Sequence, residues 1–176
     1  MPLRLAALLL VLLANPAFAQ DRVVLNRALD NAIDTFEAAL PALSATEAGV
    51  DVATYRDALT LQRFQSTHWG GEVTVDLVIR DLPEGSCTRF AAFVRIPPEN
   101  GAVRMVLCPQ FFTPGADALR ALTVLHEMVH AVAGPDECRA VAFAARVEMA
   151  ARGSFTPVDA YWQASNCPAS RYSLPR

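Results

Sequence analysis

Two of the three histidines in this 176-residue chain, His126 and His130, stand four residues apart, with Glu127 directly after the first. They sit in a stretch, Ala116 to Ala133, in which Thr123, Val124, Leu125, Met128, Val129, Ala131 and Val132 are all uncharged. This predicts a helix that is apolar nearly all round, so the fold has to wrap other elements about it. On such a helix, positions i and i+4 lie one turn apart on one face, about 6 Å between side-chain bases, and both rings can reach a single metal ion. Glu127 is rotated about 100° from His126, which places a carboxylate where it can accept a proton from water beside that ion. The same residues also fit two hydrogen-bonded helix histidines next to a surface glutamate.

A catalytic zinc site needs a third protein ligand and one open position. A helical break at Gly134-Pro135 precedes a second helical stretch from Glu137 to Arg152, ended by Gly153. So short a turn starts the second helix level with His130, which brings Glu137 to the height of the metal. Asp136 is the alternative ligand. In the pattern HExxHxxGxxH, Asp136 takes the place of the third histidine, but Ala133 stands at the glycine position. Glu148, 18 residues past His130, has the spacing of thermolysin-like enzymes, yet it is carried about 16 Å along the second helix and should overshoot. Asp136 and Glu137 also suit a helix N-terminus with no metal at all, with Pro135 at the first helical position.

Composition separates into two parts. Residues 1–19 hold 15 apolar residues, with Arg4 before the run Leu5–Ala14, Asn15-Pro16 after it, and small residues flanking Phe18. This predicts a secretory signal peptide cleaved after Ala19, because ten consecutive apolar residues are too few to span a bilayer. What remains, residues 20–176, is ordinary for one globular domain, expected to be exported to the periplasm or beyond without a membrane anchor. The net charge of −3 becomes −4 without Arg4, and no basic run occurs, so nucleic acid is excluded as a partner on electrostatic grounds. Four cysteines in an exported chain, with no Cys-x-x-Cys, favour two disulfides over a thiolate metal site.

Leu25, Leu29, Ile33, Phe36 and Leu40 recur at helical spacing, with Pro41 ending the pattern. A second helix is expected from Val50 to about Gln65, with Val52, Tyr55, Leu59 and Phe64 inward. Gly70-Gly71 introduces three expected strands, Val73–Ile79, Arg89–Ile96 and Val103–Cys108, the last two joined by a turn at Asn100-Gly101. Helices, a small antiparallel sheet and helices again make an α+β domain. His68 beside Trp69 reads as a structural residue more readily than a ligand. Phe111-Phe112 reads as core rather than substrate pocket. Tyr161 and Arg139 are candidates to stabilise an oxyanion, though Tyr161 equally fits a buried aromatic.

The segments Val106-Leu107-Cys108-Pro109-Gln110-Phe111-Phe112, Thr123 to His130 and Gly134-Pro135-Asp136-Glu137 resemble the aspzincins, the deuterolysin and peptidyl-lysine metalloendopeptidase group. That family follows a strand ending in Cys and an aromatic pair with the metal helix, then with a Gly-Thr-x-Asp-x-x-Tyr motif that carries an aspartate ligand. On that motif Pro135 stands for Thr, Glu137 for the ligand Asp and Ala140 for Tyr, and the connection is shorter. Val158-Asp159-Ala160-Tyr161 is similar to the family's late Asn-Ala-Asp-x-Tyr segment. The resemblance spans about Cys87 to Tyr161. It implies a zincin-like domain, a zinc endopeptidase and disulfides joining Cys87 to Cys108 and Cys138 to Cys167; it implies little about lysine specificity.

The expected activity is hydrolysis of peptide bonds, with zinc on His126, His130 and Glu137 and with Glu127 moving the water proton to the leaving amine. An extended peptide is expected along an edge strand beside the metal helix, with Val103–Val106 the segment to carry it. The alternatives are a non-catalytic zinc-binding module, favoured by the absent family tyrosine, and an amidase acting on cell-wall peptides.

Overall fold

The computed structural model describes residues 16–115 and 117–176. Most of the expected leader, residues 1–15, lies outside the described residues. Helix α1 (Pro16–Ala39) turns Leu25, Leu29, Ala32 and Phe36 into the core, and Pro41 lies in the single 3-10 turn that follows, Leu40–Ala42. Strands β1 (Thr46–Glu47) and β2 (Val50–Asp51) pair antiparallel about a turn in which Ala48 and Gly49 both have positive φ. Asp51 caps α2 (Val52–Leu59), accepting from the Thr54 amide at 2.7 Å.

Helix α2 stops well short of Gln65. Leu61 takes a φ of +56°, and the Gln62 amide turns back to the Asp57 carbonyl, which closes the helix. Phe64 is buried as expected, but from a strand, β3 (Phe64–Ser66), whose period of two sends Phe64 and Ser66 inward. The helical spacing from Tyr55 to Phe64 therefore hides a change of period.

The main sheet is mixed rather than antiparallel. Its strands β4 (Gly71–Ile79), β5 (Ala92–Glu99) and β6 (Ala102–Leu107) join β3 in the order β3-β4-β6-β5, with β4 and β6 parallel and the other pairs antiparallel. The chain leaves β4, passes through a 3-10 turn at Gly85–Thr88, and enters β5 on the far side of a vacant slot. The two-residue turn Asn100-Gly101, with φ of +53° and +76°, then feeds β6 into that slot. Val103, Met105, Val106 and Leu107 are consequently buried at the centre. Val103–Val106 thus cannot offer an edge to a peptide, contrary to expectation; the edges are β3 and β5, and β5 is the one packed on α3. Pro97 and Pro98, expected in the loop, lie within β5, where an outer strand tolerates residues without an amide hydrogen.

Helix α3 (Asp117–Ala133) packs against α1, α2, β5, β6 and α4 (Glu137–Arg152), as its all-round apolar surface requires. Leu125 and Met128 are fully buried, each contributing about 1.5–3 kcal/mol of apolar transfer. Buried Tyr55 donates its hydroxyl to the Leu125 carbonyl at 2.8 Å. Phe111 is buried and Phe112 packs on the same core, as the core reading expects. A short helix, α5 (Asp159–Ala164), ends the regular structure; it places Trp162 against Val141 and Ala142 of α4. Disulfides join Cys87 to Cys108 and Cys138 to Cys167, the pairing that the resemblance implies. Among the described residues no helix is long and apolar enough to cross a membrane.

Candidate metal centre

The connection Gly134-Pro135-Asp136 folds α4 back beside the end of α3. Gly134 adopts a φ of +87° and its amide bonds the His130 carbonyl at 3.1 Å, ending α3 with the left-handed residue that helix C-termini favour. Asp136 then starts α4 as its N-cap, its carboxylate accepting from the Arg139 amide at 3.1 Å. Asp136 is thereby occupied by helix initiation, and Pro135 lies just outside the helix rather than at its first position. Glu137 is the residue that faces the histidines.

Three ligand-type side chains converge here, with one donor atom from each of His126, His130 and Glu137 mutually within 4.8 Å. Nε2 of His126 lies 3.1 Å from Nε2 of His130 and 3.2 Å from one Glu137 carboxylate oxygen, and the other oxygen lies 3.5 Å from Nε2 of His130. A tetrahedral ion with bonds of about 2.0–2.1 Å separates its ligand atoms by roughly 3.3 Å. The two carboxylate contacts use different oxygens of Glu137, and the group is compatible with an ion held by two imidazoles and a carboxylate. Nδ1 of His130 meets the Gly134 carbonyl at 2.9 Å; as donor there, it leaves the lone pair of a neutral ring on Nε2, facing the group.

Charge in the group follows its surroundings. Burial acts to raise the Glu137 carboxyl, but His126 and His130, which in their protonated forms would donate to it, outweigh burial and hold the group well below the usual carboxylate range. Burial pushes Glu127 up, against the two histidines, which favour its charged form. Glu127 is only 9% exposed and faces a cleft of about 390 Å³ that His126 also lines. The Tyr161 hydroxyl donates to Glu137 at 2.8 Å, and its ring stands edge-on to His126, with centroids 5.9 Å apart.

The other candidates lie elsewhere. Glu148, as expected, is not in the group: it is fully buried and accepts from the Thr156 amide at 2.7 Å, from the Thr156 hydroxyl and from Arg152. Arg139 is committed to the Ala133 carbonyl and the Tyr172 hydroxyl, so it serves the end of α3 rather than an oxyanion. His68 is exposed and lies against Gly134, and its neighbour Trp69 donates its indole N–H to the Ala131 carbonyl at 2.7 Å. The His68-Trp69 pair thus braces the last turn of α3. Nothing in the spacing of residues 68 and 69 announces that role; only the Gly-Gly after them marks a turn.

What the arrangement offers is a carboxylate–bis-imidazole group that could hold a metal ion, a buried carboxylate, Glu127, beside it, and a tyrosine hydroxyl bonded to Glu137. Comparisons of this chain with models of known families, with curated proteins and with solved structures find no match.

Proposed function

We propose that this chain is an exported zinc-dependent metallopeptidase with a zincin-like domain, divergent from the aspzincins that its sequence resembles. One observation carries this reading: His126, His130 and Glu137 converge at ligand spacing while Glu127 stands buried beside them at a cleft. Two imidazoles and one carboxylate suit zinc, which when bound supplies Lewis-acid polarisation of water and of the scissile carbonyl. Glu127 accepts the proton that water loses on attacking the carbonyl carbon, and delivers it to the amine nitrogen as the C–N bond breaks. Tyr161, whose hydroxyl donates to Glu137 here, would turn that proton to the carbonyl oxygen as charge builds there, from a position in the fold other than that of the family tyrosine, which here is Ala140. The outer edge of β5, packed beside α3, offers backbone N–H and C=O groups to an extended peptide. Two disulfides suit the oxidising compartment that residues 1–19 predict.

The test is metal analysis of purified residues 20–176 together with degradation of unfolded casein. About one zinc per chain is expected, lost in Glu137→Ala and kept in Asp136→Ala, with casein cleaved by the wild type and not by Glu127→Gln. Zinc content unchanged in Glu137→Ala sinks the ligand assignment. Zinc-loaded protein that behaves like Glu127→Gln against casein, and against peptidoglycan peptides, sinks the enzyme.

A further inference from the structure

The cleft beside the metal group is apolar where the substrate's side chain would enter. Leu122 of α3 and Val141 and Ala144 of α4 form buried lining, and Phe90, Leu119 and Tyr161 line it nearer to solvent. Those last three are 41%, 54% and 43% exposed, and they account for half of the large hydrophobic residues that stand exposed among the described residues. Exposed apolar side chains scattered singly need no explanation, but three gathered round one concavity mark a binding site. A volume of about 390 Å³ is at the small end of ligand pockets, enough for one or two side chains and too small for a folded partner.

Charge narrows the occupant further. The only carboxylate among the described residues lining the cleft is Glu127, the general base. The only cation is Arg89, whose guanidinium lies 5.2 Å over the Phe90 ring. A lysine or arginine side chain would find no free acid there and would meet Arg89. Arg89 is exposed beside Phe90, so a carboxylate that pairs with it would stay at the mouth of the cleft and leave the leucine, valine and alanine lining unfilled.

We propose that this cleft is the specificity pocket of the enzyme and receives a bulky apolar side chain, leucine or phenylalanine, from the residue flanking the scissile bond. This rests on the metallopeptidase reading and adds a substrate class to it, one opposite to lysine selection. Leu119 and Phe90 are specificity-determining residues. Each is exposed enough to be replaced without opening the core.

The experiment uses blocked peptides of the form Gly-Gly-X-Gly-Gly, with X as Leu, Phe, Ala, Asp or Lys, so that X is the only side chain available to the cleft. Binding to the zinc-loaded Glu127→Gln variant is measured by calorimetry, and cleavage by the wild type by mass spectrometry. Leu and Phe peptides are expected to bind and to be cleaved at least about tenfold better than the Ala peptide, the scale that a few methylene groups in an apolar pocket supply. Leu119→Asp is expected to abolish that preference, and Leu82→Asp, an equally exposed apolar site away from this cleft, to leave it intact. Preferential binding of Leu and Phe with no cleavage by the wild type upholds the pocket and overturns the metallopeptidase reading. Cleavage with no side-chain preference, or with Lys or Asp preferred, overturns the pocket and leaves the enzyme. Neither binding nor cleavage of any peptide overturns both.

Discussion

The Tyr161 hydroxyl donates to the same Glu137 oxygen, Oε2, that lies 3.2 Å from Nε2 of His126. One carboxylate oxygen is thus shared between the His126 imidazole and a phenol from a different helix. Burial and the Glu137 charge both push the Tyr161 pKa up, so the phenol keeps its proton and remains a donor. Tyr161→Phe should therefore leave zinc stoichiometry near that of the wild type while lowering kcat about 100- to 1000-fold, the range for removing one oxyanion donor. Zinc analysis beside steady-state kinetics separates the two effects; unchanged kcat would remove Tyr161 from the reaction.

Gly134 is constrained twice. Its φ of +87° disfavours any side chain, and a Cβ there would come within 2.3 Å of Nε2 of His68. Gly134→Ala should cost about 1–2 kcal/mol of stability and weaken zinc about 10-fold, because the carbonyl that orients His130 moves with the backbone. Adding His68→Ala should recover the part due to crowding and not the part due to φ. Chemical denaturation and equilibrium dialysis measure the two losses, and full recovery in the double variant would show that backbone conformation is irrelevant.

Glu148 looks like a ligand by its spacing and behaves as a structural brace. Glu148→Ala leaves the half-buried Thr156 amide without its partner, at a cost of about 1–3 kcal/mol, and should not alter zinc content. A lowered Tm with one zinc retained is the expected pair of results; zinc loss in a folded Glu148→Ala protein would contradict the assignment of Glu137.

The two disulfides are expected to differ in what they protect. Each closes a loop of more than 20 residues and should contribute about 3 kcal/mol through the unfolded chain. Cys138 follows Glu137 directly, and its bond to Cys167 holds the segment that carries α5 and Tyr161 against α4. Replacing Cys138 and Cys167 by serine should therefore lower both Tm and kcat, whereas the Cys87 and Cys108 pair of replacements should lower chiefly Tm. Equal loss of kcat in both variants would detach the C-terminal bridge from the site.

The parts of this molecule that were legible in its sequence are those governed by contacts close along the chain. His126, Glu127 and His130 lie on one helical turn and its successor, and the Asn100-Gly101 turn is decided by two residues with positive φ. Glu137 and Asp136 could be narrowed to a pair by helix rise, and a single capping hydrogen bond then separates them. What could not be read depends on partners far away in sequence. That β6 inserts between β4 and β5 follows from which strand claims the central slot, and Val103–Leu107, a near-continuous apolar run, carries that information only as burial. Helix α5 and the bracing by Trp69 rest on contacts across 20 or more residues, for which no periodic pattern exists.

The three side chains that could hold an ion all come from one helical hairpin, between His126 and Glu137. Bringing them together closes a very short loop, so the entropy of assembly is small compared with that of pairing the sheet. Metal capture is in this sense a local event. The geometry an ion would need is therefore set by this hairpin alone and does not wait on the register of β4, β5 and β6.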